Sequence, residues 1–357
     1  MVALVNTYRA AAGVVPVVLD RELTKGCHAH AEYMRINRGK RQLYSTNAHD
    51  EDPSLPGATP EGAACGKAAD LYPQVVDLEA AVRGWTATLY HRPPILASRL
   101  ERVGVGWTRL SEPSEYGAGE IIVALQFVWA NTGSQVVVYP ANGQNDVPLD
   151  FVSESPNPLP PPAVVAGFPI TVQFDETEDV RGVTATLTDG AGAVVPVFVS
   201  SPEAPARKDH ANAGLIGVIP RLPLRATTRY TATIHAMWNG TPKTWTTTFT
   251  TIARTVVDAM DEDALFAAAG KAVTLRGTVL HAGKPSEGNM LVLRSRGSHR
   301  LIEVAVDFAR VQVGVSDDRL GVPEGATVEA DGTLVVSYGK ARVTVTPASP
   351  LRVVRSP

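Results

Sequence analysis

Cysteine, aromatic residues, long apolar runs and a dominant charge are all scarce in this chain, and each scarcity excludes something. Two cysteines in 357 residues, Cys27 and Cys65, are too few for a metal knuckle built from thiolates. Their pairing would point to an oxidising compartment, while the spacing is equally compatible with two buried thiols. The longest apolar stretch, residues 121–130, is about half of the roughly 20 residues that a membrane-crossing helix needs, so no transmembrane segment is expected. A formal charge of −3, with no third of the chain strongly basic, argues against a dedicated nucleic-acid binder. The chain opens directly on an amphipathic pattern. Its 27 prolines and Thr/Val-rich strands nonetheless suit an extracellular multidomain protein, so the expectation is a secretion signal removed by processing.

What is present is a folded composition, 44% hydrophobic against 19% charged, on a chain too long for one ordinary core. Residues 1–135 mix helical and strand patterns. Leu4, Val5, Tyr8, Ala11 and Ala12 recur at helical spacing until Gly13. Asp20 can cap a second helix with the stripe Leu23, Cys27, Ala31 and Met34. Thr59-Pro60 is a helix-start pair, and Val82, Trp85 and Leu89 mark a further helix. Residues 103–108 and 121–129 read as buried strands, so a helix-covered sheet is expected.

Residues 136–252 change to short strands, at 168–174, 183–187, 194–199, 230–237 and 244–250, which predict a β-sandwich. The proline-rich stretch 156–162 reads as a stiff surface loop or edge. Residues 253–269 read as a short linker helix. Residues 270–357 return to strands, at 273–280, 290–293, 301–306, 326–329, 334–338 and 341–345, enough for a small barrel.

Two histidines carry the chemistry. His49 and Glu51 lie in a polar segment, and Glu61 falls in the first turn of the helix begun at Thr59, where the helix dipole keeps a carboxylate ionised. His91 follows the Trp85 helix, which Pro93 and Pro94 end. Two imidazoles and a carboxylate can hold Zn²⁺ or another divalent cation with a position open for water. The same residues also read as ordinary hydrogen-bonding loop side chains. His28 and His30 diverge on a helix and cannot chelate together, and Cys27 with His30 reads better as a core stripe. Nothing local marks Ser45 or Thr46 as an activated nucleophile.

An ordered set of motifs resembles the CAP superfamily, the cysteine-rich secretory, antigen 5 and pathogenesis-related proteins, and most of all its bacterial SCP-like branch. They are Asn6-Thr-Tyr-Arg9, Leu19-Asp20 with Leu23, His30-Ala-Glu-Tyr-Met34, His49-Asp-Glu51, Pro56-Gly-Ala-Thr-Pro-Glu-Gly62, Ala81-Val-Arg-Gly-Trp85, Tyr90-His-Arg92 and Val103-Gly-Val-Gly106. The resemblance covers residues 1–130 and implies an α-β-α sandwich, usually secreted or at the cell envelope. It also implies a cleft of two histidines and two acids that in several members binds a divalent cation. His49 and His91 match the histidines and Glu61 matches the first acid. Thr88 stands about where the second acid is expected, which leaves the tetrad incomplete unless Glu51 compensates from the other side. Asn6, Arg9 and Arg92 within these motifs are assigned to ligand binding.

Family members are linked to sterol or lipid binding, cell-wall interaction, proteolysis and antimicrobial action, so the resemblance speaks to fold more than to reaction. The second region resembles a bacterial immunoglobulin-like domain and the third an OB-type barrel. Arg294, Arg296, His299 and Arg300 could meet an anion or form a solvated hairpin face. With only Phe266, Phe308 and Tyr338 available for stacking, nucleic acid is not expected.

The expected fold is therefore multidomain, an α-β-α sandwich followed by an Ig-like β-sandwich and an OB-like β-barrel. The expected function is a secreted or envelope binding protein. Its His/Glu cleft takes a divalent cation or small ligand, its partner is a polysaccharide, lipid or protein, and its β domains act as spacers or adhesion modules. One alternative is a metal-dependent or His/Glu-assisted hydrolase of a cell-wall or extracellular polymer, with Glu61 or Glu51 as general base. Another is a structural part of an envelope assembly.

Overall fold

The structure is a computed structural model. It describes residues 1–39, 46–75, 77–111, 120–130, 134–161, 163, 166–210, 214–282, 290–297, 303–308, 322–337, 340–345 and 351–355. Ser45, His299, Arg300 and Tyr338 lie outside them.

The N-terminal elements are α1 (Val2–Ala11), β1 (Val18–Leu19), α2 (Arg21–Ile36), a 3-10 turn (Thr46–His49), α3 (Pro60–Lys67), β2 (Ala69–Val75), α4 (Leu78–Thr86), α5 (Arg92–Leu96), β3 (Leu100–Ser111) and β4 (Glu120–Trp129). The starts follow local chemistry. Asp20 accepts from the Glu22 and Leu23 amides, Thr59 accepts from the Gly62 amide with Pro60 in the first turn, and Asp77 accepts from the Ala80 amide. The predicted helix through Leu89 stops at Thr86 instead, and Leu89 becomes a buried residue beyond it.

The strands form one sheet in the order β1-β3-β4-β2. Side chains alternate across β4. Ile122 and Ala124 join Cys27, Ala31, Met34 and Cys65, on α2 and α3. Val123, Leu125 and Phe127 join Val5, Val82, Trp85, Ile95 and Leu96, on α1, α4 and α5. The sheet is thus covered by helices on both faces. Gly106 lets α2 lie directly on β3, because a Cβ there would meet the Cys27 carbonyl carbon at 2.0 Å. Cys27 and Cys65 are paired in a disulfide that ties α2 to α3.

Next come β5 (Val137–Tyr139), β6 (Gln144–Val147), β7 (Ile170–Gln173), β8 (Val180–Asp189), β9 (Val197–Ser200), β10 (Leu215–Pro220), β11 (Arg229–Trp238) and β12 (Thr241–Thr251). They build two four-stranded sheets, β5-β7-β10-β9 and β6-β12-β11-β8. Ile170, Val172, Ile216 and Val218 of the first share a core with Leu187, Ala232, Ile234 and Phe249 of the second. That core is continuous with the one under α1, α4 and α5, so the two regions are fused through apolar contact.

The segment predicted as a linker helix divides. Thr255–Asp258 form β13, as suits a β-branched run, and only Glu262–Ala267 form a helix, α6, capped by Asp261. The remaining strands are β14 (Ala272–Ala282), β15 (Met290–Leu293), β16 (Glu303–Phe308), β17 (Thr327–Ser337), β18 (Lys340–Val345) and β19 (Leu351–Arg355). The two strands predicted at 326–329 and 334–338 are one, β17. Pairing runs β14-β15-β16-β18-β17 and returns to β14, a closed ring flanked by β13 and β19. No helix among the described residues is long and apolar enough to cross a membrane.

Candidate functional site

His49 and His91 line one cavity of about 350 Å³ beneath β2 and α4. Leu71, Tyr72, Trp85 and Thr88 supply part of its wall, and Val152–Ser155 of the segment entering the second region supply the rest. His49 ends the 3-10 turn, and its Nδ1 lies 2.8 Å from the Gly66 carbonyl oxygen. A carbonyl only accepts, so Nδ1–H donates and Nε2 remains the acceptor. His91 immediately precedes α5, with Nδ1 2.7 Å from Glu154 Oε2. Among the described residues neither Nε2 has a protein partner.

Glu154 is the carboxylate that the sequence reading missed. Its side chain is only 1% exposed. Besides His91, it accepts from the Leu89 amide at 2.7 Å and the Tyr90 amide at 3.0 Å. It therefore fills a ready-made anion seat at the end of α4, 63 residues from its histidine partner. Thr88, where an acid was expected, turns its hydroxyl back onto the Trp85 carbonyl at 2.6 Å.

Asp70 on β2 is the second carboxylate that was missed. It is 6% exposed, and its Oδ2 has no partner among the described residues. Burial pushes its carboxyl up to about 8, with the Glu154 charge adding to the rise and His91 opposing it. Burial also works against a charged His91. The hydrogen bond to Glu154, then the Asp70 and Glu154 charges, outweigh it and hold His91 above the ordinary histidine range. An acid inside the apolar run Ala68-Ala69-Asp70-Leu71-Tyr72 was a readable signal. Glu154 had none.

The other predicted carboxylates are elsewhere. Glu61 is exposed on the first turn of α3 and does not line the cavity. Glu51 is buried, 2.9 Å from His30 Nδ1 and accepting from the Thr59 amide at 2.8 Å, where it secures the start of α3. His30 also donates from Nε2 to the Ala48 carbonyl at 3.0 Å.

Asn6, Arg9 and Arg92, assigned above to binding, are engaged by the fold. Asn6 pairs with both backbone groups of Val17. Arg9 is fully buried and donates to the carbonyls of Val15, Ile95, Ala97 and Leu100, and burial brings it down to about 10. Arg92, equally buried, donates to Thr86 and Pro169 and lies 4.4 Å from the Phe168 ring centroid. It pins the helical region to the β-sandwich. Arg294 and Arg296 are exposed.

Among the described residues, no three His, Cys, Asp or Glu side chains gather in a way that could hold a metal ion. The cavity instead offers two imidazoles, an aromatic wall and the buried Glu154, while Asp70 acts on His91 from outside the lining. A catalytic zinc ordinarily takes three protein ligands, and His49 and His91 supply two imidazoles.

Residues 2–127 match the model of the CAP family, the cysteine-rich secretory protein family. That segment is a CAP domain, as its motifs predicted. A search of curated proteins returns no match. Among solved structures, CopC from Methylosinus trichosporium OB3b is similar over 32% of this chain and 89% of its own, at 12% identity and a TM-score of 0.22. Nothing about the site follows from that likeness.

Proposed function

We propose that this is a secreted or cell-envelope CAP-domain protein whose His49–His91 cleft binds a divalent cation or a small ligand. The observation that carries the reading is the pair of imidazoles on one cavity, each tied back through Nδ1 and each with an Nε2 that has no partner among the described residues. Tying the far nitrogen to a carbonyl or carboxylate is the usual way to orient a ligating histidine. A cation such as Zn²⁺ would be held by His49 and His91, with the Glu154 carboxylate supplying negative charge behind His91. Binding is favoured over hydrolysis, because neither Glu51 nor Glu61 lines the cleft and Glu154, which does, is spent on His91 and the Leu89 and Tyr90 amides.

The two face-to-face sheets are consistent with an Ig-like module, and the five-strand ring with an OB-like one. We assign both to spacing or adhesion toward an extracellular polysaccharide, lipid or protein, with no role for nucleic acid. The test is a calorimetric zinc titration of the wild type and of the His49→Ala/His91→Ala double variant. Heat lost in the double variant supports the reading. Equal heats in both end the cation proposal.

A further inference from the structure

A second cavity, of about 400 Å³, opens between the CAP domain and the β-sandwich, apart from the histidine cleft. Small-molecule sites of roughly 300–1,000 Å³ gather at such domain junctions. The CAP side contributes Tyr90, Arg99 and Trp129, and the sandwich contributes Gln173, Asp175 and Glu176. Trp129 ends β4 with 42% of its surface exposed, and its indole nitrogen has no protein partner among the described residues. Arg99 and Glu176 are exposed, and neither makes an ion pair or side-chain hydrogen bond among the described residues. Gln173 donates to the Pro93 carbonyl at 3.0 Å, and its amide oxygen has no partner among the described residues.

The groove thus places a partly exposed indole beside one guanidinium, an amide and two carboxylates, of which Asp175 already accepts from Thr177. An acyl chain or sterol would want an enclosed apolar wall. A nucleic acid would want several cations, and here one arginine faces two acids. A pyranose meets each feature. Its C–H face stacks on an indole, and its equatorial hydroxyls both donate and accept, so they can bridge carboxylate, amide and guanidinium together.

We infer that this groove is a carbohydrate site, sized for a mono- or disaccharide stretch of a flat, β-linked glucan or chitin-type chain. The inference stands independently of the histidine cleft. It is tested on the full chain by calorimetry with cellotetraose and with chitotetraose, with folding checked by near-ultraviolet circular dichroism. Binding of at least one probe is expected, weakened tenfold or more by Trp129→Ala and several-fold by Arg99→Ala. The His49→Ala/His91→Ala variant should bind as the wild type does. The inference is overturned if the wild type binds neither probe, if Arg99→Ala and a folded Trp129→Ala both bind as the wild type does, or if only the histidine double variant loses binding.

Discussion

Glu154→Gln probes the cleft most sharply, because it keeps the shape of the side chain and changes what it can accept. The native carboxylate takes Leu89 N–H at 2.7 Å on one oxygen, and Tyr90 N–H at 3.0 Å and His91 Nδ1 at 2.7 Å on the other. Glutamine has one carbonyl oxygen and one NH₂ group. The Leu89 and Tyr90 amides can only donate, and one oxygen position lies 2.7 Å from the first and 3.3 Å from the second, so the carbonyl oxygen stays there and the NH₂ group turns toward His91. His91 must then accept at Nδ1, and its proton moves to Nε2. The atom offered to the cleft changes from acceptor to donor. Hydrogen bonds to charged groups contribute about 1.5–3 kcal/mol against about 1 for neutral ones. Two weakened bonds, and a Tyr90 amide left with only a stretched 3.3 Å contact to the carbonyl oxygen, amount to about 3 kcal/mol, because a site only 1% exposed gives water little access.

Nitrogen-detected NMR of the imidazole and urea denaturation measure the two effects. Neutral His91 should carry its proton on Nδ1 in the wild type and on Nε2 in the variant. Its titration, held above the ordinary range in the wild type, should move down, and the zinc heat should fall. An unchanged tautomer and titration, with stability within about 0.5 kcal/mol, the range of an ordinary surface substitution, would refute the reasoning.

Two further outcomes are expected. Asp70 titrates at about 8 in the fold against 3.8 as its ordinary value, so the folded state keeps a proton that the unfolded state releases. Its stabilising effect is complete below the unfolded value and is lost as pH rises toward about 8, with His91 acting in the same direction above 6.5. Asp70→Asn should therefore raise the urea midpoint at pH 8 relative to pH 4, and parallel wild-type and variant profiles would count against a buried neutral acid. The Cys27–Cys65 disulfide closes a separation of 38 residues, which the loop-entropy relation values at about 4 kcal/mol. Cys27→Ala/Cys65→Ala should lose about that much in denaturation, and intact mass should show no alkylation without prior reduction. Two labelled thiols in unreduced protein would exclude the bond.

Much of the first region was legible residue by residue. Asp20 and Thr59 cap the helices that their side chains announced, and the Leu23, Cys27, Ala31, Met34 stripe led to a core in which all but Leu23 are completely buried. The strand expected at 230–237 is β11, in which Tyr230, Ala232, Ile234 and Ala236 turn inward. These are local properties, because capping and periodicity act within a few residues. The same locality misled at Glu61. A carboxylate in a first turn suits the helix dipole whether or not it points at a site, and this one is exposed. Arg9 and Arg92, assigned to binding within the motifs, are both spent on buried carbonyls.

By itself the sequence determined the helix-covered sheet, the two β regions that follow it and the pair of histidines on one cleft. Only the tertiary structure decided which acids serve them. Asp70 became a high-pKa carboxyl because the fold stripped it of water. Glu154 reached His91 because Arg92 and a shared apolar core hold the second region against the first. A contact across 63 residues depends on how two surfaces dock, and no local period or cap encodes that.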